Sequence, residues 1–403
     1  MKAGWTTVRL GDLVDFHSGG TPSKSVPRFW NGDVPWFSAK DLKRDRLTDS
    51  IDHIDRAVFD ETSLRLLPAG TIAVVVRGMI LAHTVPISIL DVPAAINQDL
   101  KALLPKRPGE FDIAYLAGAL RAQQAKILTD VSRAAHGTTK LESRVLENIE
   151  IPLPPLDEQR RISAVLDKVD AIRASRRLSI RMCDTIVDSL FEQMSEGQRL
   201  PIGEIVALQG GLTLGPKRAE YPGEMAYLRV ANVMRGRLDL AEVKTVRVTE
   251  KEASRATLES GDVLVVEGHG NADEIGRAAL WSGEISGDVS HQNHLFRLRP
   301  DASRVLPKYL VNLLNSPDGR RQIRTITTTT SGLNTISGSR LKSIHVRVPP
   351  LNAQRQFAAQ VTQIDMIRAT AEQHLSELDS LFSSLQSRAF AGELDTSKAP
   401  LPL

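Results

Sequence analysis

The sequence has a single cysteine, Cys183, among 403 residues. No disulfide framework can form within the chain, and a reducing, cytoplasmic setting is expected. It has no run of 18 apolar residues, which excludes a membrane-spanning helix. The opening stretch, "MKAGWTTVRLGDLVDF", lacks the apolar core and cleavage site of a signal peptide. A strong excess of one charge is missing as well: 51 Lys+Arg stand against 48 Asp+Glu, a net charge of +3. That balance permits a nucleic-acid partner without arguing for one.

Catalytic signatures are also absent. There is no G-x-x-x-x-G-K-[ST] phosphate loop, no G-x-G-x-x-G after a strand, and no Asn-Pro-Pro-Tyr or Asp-Pro-Pro-Tyr phrase of an amino-methyltransferase. "DLAEVK" contains the Glu-x-Lys of metal-dependent nucleases. Asp239 lies only three residues before Glu242, however, and the other half of the chain has no equivalent, so a solvated strand or turn is the better reading. His269, His291 and His294 lack the further ligands a zinc site needs. A chain that is 41% hydrophobic and 25% charged is an ordinary globular protein, and its length calls for two or three domains.

What is present is a repeat. "IPLPPLDEQRR" at residue 151 returns as "VRVPPLNAQRQ" at residue 346, with Gln159 matched to Gln354 at an offset of 195. "LGDLVDFHSGG" parallels "IGEIVALQGG", "LPAGTIAVVV" parallels "LESGDVLVVE", and "NQDLKALLP" parallels "HQNHLFRLRP". Each copy is a mixed α/β segment followed by a long helix, so this is a domain duplication rather than a solenoid. The expected fold is α/β (α+β): two duplicated domains separated by two long helices packed as an antiparallel coiled coil. The expected limits are 1–153 and 199–348 for the domains, 154–198 and 349–394 for the helices, and 395–403 for a tail.

Pro154 and Pro155 lead into the first helix, and Asp157 and Asn352 are candidate N-caps. After Asp157 the apolar stripe runs Ile162, Val165, Val169, Ile172, then Ile186 and Leu190. Its middle is poor, because Arg176, Ser179 and Cys183 fall on it. After Asn352 the stripe runs Phe357, Val361, Ile364, Ala371, Leu375, Leu378, Phe382, Leu385 and Ala389. A helix of this length spans on the order of 58 Å, a spacer between globular domains.

The globular segments hold polar and basic loops. In the first half these are "GGTPSKSVPRFW", "SAKDLKRDR", "RGMILAHT" and "RAAHGTTK"; in the second, "LTLGPKRAEY", "RVANVMRGR", "GHGN" and "RQIRTITTTTSGLN". Arg and Lys neutralise phosphates, while Asn, Gln, Ser and Thr reach base edges. Acids are interleaved, so a binding face requires the fold to sort the charges in space.

Two variable α/β domains, each opening like "LGDLVDFHSGGTPSK" and closing like "IEIPLPPLDEQ" into a long helix, resemble the specificity (S) subunits of type I restriction–modification systems. The ending "LFSSLQSRAFAGEL", residues 381–394, is similar to the end of that family's second helix. One departure is Ala353, where the first copy has Glu158. The resemblance implies a non-catalytic subunit with two target recognition domains, each reading one half of an asymmetric, split sequence in double-stranded DNA. It implies two methyltransferase subunits as partners and, in addition, restriction (translocase) subunits. S-adenosylmethionine, ATP and Mg would sit on those partners and no cofactor on this chain. The expected DNA contacts are Lys24, Arg28, Lys40, Arg77, His136, Thr138 and Lys140 in the first domain. In the second they are Lys217, Arg218, Arg229, Arg235, His269, Asn271, Thr330 and Asn334. Docking of the methyltransferase subunits is expected at Leu156, Glu158, Gln159, Leu351 and Gln354 and on the helix faces. The competing readings are a coiled-coil scaffold with protein-binding ends, a self-contained methyltransferase or nuclease, and a modification-only specificity subunit.

Overall fold

The computed structural model describes residues 4–133, 139–194, 196–330 and 332–396. The chain divides into two compact units, residues 1–176 with 374–403 and residues 177–373.

In the first unit, a five-stranded sheet runs in the order Val14–Ser18, Leu100–Pro105, Thr71–Val75, Ile87–Leu90, Arg46–Leu47. Every residue of Thr71–Val75 is buried, as a β-branched strand covered on both faces should be. A three-stranded sheet of Asp52–Ile54, Val34–Phe37 and Ala95–Ile96 adjoins it, with Trp36 and Phe37 paired in parallel to Ala95 and Ile96. The helical stretch after this sheet breaks at Gln123 into Ile113–Ala122 and Gln124–Thr129. Asp112 caps the first of these by accepting from the Tyr115 N–H at 2.8 Å.

The second unit repeats the plan. A four-stranded sheet is ordered Val206–Gly210, Leu295–Pro300, Val263–Val266, Ala278–Leu280. Tyr227 and Leu228 pair in parallel with Ser290 and His291, as Trp36 and Phe37 do with Ala95 and Ile96. In each unit a two-stranded ribbon joins the domain's first strand to its last, Thr6–Arg9 with Glu150–Leu153 and Gln198–Pro201 with His345–Val348.

The long helices are Leu156–Gln193 and Leu351–Phe390, and they pack together. In the first unit Arg173 donates to Asp379 at 2.6 Å and lies over the Phe382 ring at 4.4 Å. In the second, Arg368 donates to Asp184 at 2.8 Å. Both partners shift by the same 195 residues, so one ion pair is made twice, with the helices running in opposite directions. A double-mutant cycle on Arg173→Ala and Asp379→Ala should return a coupling of ~1 kcal/mol in the thermal stability of the full chain. Additive single effects would show that the pair sets no register.

Two helix expectations change. Both helices begin two residues earlier than the cap reading, because Gln159 N–H bonds to the Pro155 carbonyl and Gln354 N–H to that of Pro350. Asp157 and Asn352 therefore lie inside the first turn, where Asp157 still favours the positive end of the helix dipole. The stripe on the first helix is also rotated. Ile162, Leu166, Cys183 and Val187 are buried, whereas Ile172 and Ile186 are 42% and 46% exposed. The polar middle of this helix pulled the sequence phase off, since Arg173 occupies an inward position and is neutralised there by Asp170 and Asp379.

Each helix also ends against an aromatic anchor. Phe390 meets Tyr115 at 5.3 Å in the first unit, and Phe191 stacks on Tyr309 at 5.5 Å in the second.

Candidate nucleic-acid interface

The topology brings the polar loops of each unit to one rim. In the first unit the strands Val14–Ser18, Val34–Phe37 and Thr71–Val75 all end there, and Leu100–Pro105 begins there, with Ser18 opposite Lys101 and Val75 opposite Leu100. The loops that follow Ser18, Phe37 and Val75 therefore meet the loop before Leu100. Asn97 N–H bonds the Phe37 carbonyl at 2.9 Å, which fastens two of them together. The pair Ser132–Arg133 and Thr139–Lys140 joins the same rim through a bridge between Arg77 and Lys140.

The second unit builds the same rim from Gly210, Leu228, Val266 and Leu295, with Gln292 N–H on the Leu228 carbonyl at 2.9 Å. Here the strand Gly268–His269 pairs with Leu333–Thr335, which pairs with Thr328–Thr330. The double-glycine openings serve one purpose in both copies. A Cβ on Gly19 would lie 2.1 Å from the Ile96 carbonyl oxygen, and one on Gly211 would lie 2.3 Å from that of His291. Only glycine lets the chain pass so close.

The expected contact residues separate on this frame. Lys24, Lys40 and Arg77 are exposed and make no ion pair among the described residues. Lys40, with Lys43 and Arg44, lines a surface concavity of about 320 Å³. Lys43 and Arg44, not singled out in the sequence, share their loop with three acids. In the fold, Asp41 is occupied by Ser38 and Ile51, Asp45 by Arg121 and Asp49 by His53. Arg28 is exposed but held by both oxygens of Glu61, at 2.9 and 2.7 Å. Lys140 pairs with Glu142 at 2.8 Å. His136 and Thr138 lie outside the described residues.

In the second unit Lys217 is exposed. Arg218 is not available to a ligand. It is 9% exposed and donates to the Arg247 carbonyl at 2.8 Å and to Glu252 at 2.9 Å, so its charge is spent inside the domain. Arg229 is tied to Glu242 at 2.9 Å and holds that carboxyl below its usual range. Arg235 donates to the Asp273 carbonyl at 2.8 Å, and burial lowers its pKa. His269 accepts from the Asn271 N–H at 2.9 Å, and Asn271 caps the turn Ala272–Glu274. Asn334 is 9% exposed, accepts from Thr329 at 2.7 Å and donates to the Gly270 carbonyl at 2.9 Å. It shapes the loop rather than reaching out of it. Thr330 sits in the neighbouring strand, and its side chain lies outside the description.

The docking residues divide too. Leu156, Glu158 and Leu351 are half-buried. Gln159 and Gln354 are 1% and 0% exposed and do internal work instead. The Gln159 amide donates to the Pro154 carbonyl at 2.8 Å and accepts from the Asp112 N–H at 2.9 Å. Gln354 donates to the Arg304 and Pro349 carbonyls and accepts from the Leu306 N–H at 2.8 Å. The repeated phrase is thus a joint between helix and domain. The departure at Ala353 has a counterpart: Glu158 accepts from the Trp5 indole at 3.2 Å, and the register of the two ribbons puts Gly197 where the first copy has Trp5.

Among the described residues, no group of three or more His, Cys, Asp or Glu could hold a metal ion. No helix among them is long and apolar enough to cross a membrane.

The family profile described as type I restriction modification DNA specificity domain matches residues 2–180 and again 194–379. The chain belongs to this family. It is a non-catalytic specificity subunit with two target recognition domains. The chain is 36% identical over 172 residues to the specificity subunit of the type I restriction enzyme EcoR124I/EcoR124II from Escherichia coli, an alignment covering 42% of each chain. It is 24% identical over 386 residues to the StySPI specificity subunit from Salmonella potsdam, covering 85% of this chain and 81% of that one. The fold matches the crystal structure of an S subunit from M. genitalium with a TM-score of 0.56 at 17% identity, over 96% of both chains.

Proposed function

We propose that this specificity subunit reads an asymmetric, bipartite sequence in double-stranded DNA, one half with each rim, and that it docks two methyltransferase subunits and, with them, restriction subunits. S-adenosylmethionine, ATP and Mg belong to those partners, and the complex works in the cytoplasm, where its DNA target is. The observation that carries the reading is that two copies of one frame gather their loops at equivalent rims and fill them differently. The first rim offers exposed Lys24, Lys40, Lys43, Arg44 and Arg77, without an ion pair among the described residues; the second offers Lys217, His269 and Asn271 with several arginines internally paired. Phosphate contacts would set register and base-edge contacts would set sequence. Different rims then imply different half-sites.

The working division of the chain is a recognition domain at 1–153, a spacer helix at 154–198, a second recognition domain at 199–348, a second helix at 349–394 and a tail. For docking, Leu156, Glu158 and Leu351 are supported by the apolar side chains the long helices leave uncovered. In the second unit these are Leu178 at 50% exposure, Met182 at 53%, Ile186 at 46%, Met366 at 67% and Ile367 at 62%.

The test is methylome sequencing of cells carrying the cognate modification subunit, with and without this chain. A split, asymmetric motif should gain methyl-adenine only when the chain is present. Replacing residues 201–345 with those of another specificity subunit should change one half of that motif alone. A complex that forms yet marks no motif would instead favour a scaffold with protein-binding ends.

A further inference from the structure

At the first rim, the loop after the central strand holds an apolar pair out in solvent. Met79 is 81% exposed and Ile80 39% exposed, while Leu81, next in the same turn, is 1% exposed and roots it in the core. The backbone beneath is tied down. Gly78 N–H bonds the Thr139 carbonyl at 3.1 Å and Leu141 N–H the Val76 carbonyl at 2.9 Å. Gly78 has φ +134°, a conformation that a side chain would strain. Met79 is therefore offered from a fixed place. Its neighbour Arg77 is exposed and without an ion pair among the described residues, and Lys40, Lys43 and Arg44 stand on the same rim. An uncovered methionine set among free cations suits a polyanion that also carries an apolar group.

The second unit spans the equivalent loop with the opposite chemistry. Strand register sets Gly270 and Asn271 where the first unit has Met79 and Ile80, and the turn Ala272–Glu274 follows them, closed by Ile275, 4% exposed. Its outward residues are Asn271, Asp273 and Glu274. No large apolar side chain is offered there.

We propose that Met79, assisted by Ile80, is the apolar specificity contact of the first recognition domain, packing on the 5-methyl group of a thymine in the major groove. The second domain has no such contact at this position and reads its half-site there by polar groups. The thymine methyl is the apolar group that base pairs present in the major groove, and the flexible thioether of methionine adapts to it. The inference rests on the DNA-reading function proposed above.

The experiment uses the full complex and duplexes carrying the motif found by methylome sequencing, with the first half-site identified as the half that survives replacement of residues 201–345. Met79→Ala should weaken binding about tenfold, the size of one lost base contact, with an unchanged melting temperature because the side chain is exposed. Met79→Leu should restore most of the affinity. Replacing one particular thymine of that half-site by deoxyuridine should weaken the wild type by a similar factor and leave Met79→Ala unaffected. Wild-type affinity in Met79→Ala, deoxyuridine effects that are the same in both proteins, or a first half-site with no A·T pair would overturn the inference alone. Absence of any motif with the wild-type chain would remove the DNA reading itself.

Discussion

Between pH 6.5 and about 4 the second unit should lose about 3 kcal/mol of stability, and His291→Ile should abolish that loss. His291 is 0% exposed, and neither ring nitrogen makes a well-formed hydrogen bond among the described residues. Burial, reinforced by the nearby Arg297 guanidinium, pushes its pKa down to about 4; the neighbouring Gln209 and Ala256 backbone groups and the Asp262 carboxylate oppose this without prevailing. The native state therefore keeps the ring neutral. The unfolded chain takes up a proton near the ordinary value of about 6.5. Above that pH both states are neutral and the contribution is complete. Below it the unfolded state gains a proton that the folded state refuses, at about 1.4 kcal/mol per pH unit, until the folded ring also titrates. The first unit supplies the control within the same chain. The strand register places Ile96, 2% exposed, where the second unit has His291. Isoleucine thus already fits this frame. Urea unfolding of the full chain across this pH range, followed by hydrogen exchange in the second unit, makes the measurement. A wild-type second unit with a flat profile would mean that the ring is solvated or paired in solution.

Gln354→Ala should destabilise the second unit by about 2–4 kcal/mol, and Gln159→Ala the first by a similar amount. Removing the Gln354 amide leaves the Leu306 N–H and the Arg304 and Pro349 carbonyls without their partner in a buried place, and each orphaned group costs about 1–3 kcal/mol before relaxation or water entry. The same substitution tells a joint from a docking site. A variant that melts like the wild type but no longer assembles with methyltransferase subunits would return the glutamine to the subunit interface. One that melts early and, where folded, still assembles places it in the frame.

The two glutamines show how far the sequence could be followed. Their repetition at an offset of 195 was plain, and so was their position at the start of a helix. Their burial was not, because burial depends on the Asp112 and Leu306 backbones, distant in the chain, arriving beside them. The C-terminal helix was legible through Phe357, Val361, Ala371 and Ala389, all buried as its stripe required. The central helix was misphased because its inward face carries Arg173, a residue that a hydrophobic pattern scores as outward.

At the rims the limit was charge pairing. Arg77 and Arg218 are the same residue type in similar polar loops. One meets no acid among the described residues, and the other is consumed by Glu252, 34 residues further on. Met79 was hidden for a related reason, since an apolar residue in a loop is ordinarily read as turned inward.

By itself the sequence determined the duplication, the two long helices and membership in a family of DNA specificity subunits. Each of these follows from local spacing or from a phrase kept whole in both copies. Tertiary structure alone decided which loops share a rim, which cations remain unpaired there and which polar side chains are buried. Those properties are set by pairs of groups far apart in the chain, and the distance between such groups comes from strand register and helix phase, not from composition.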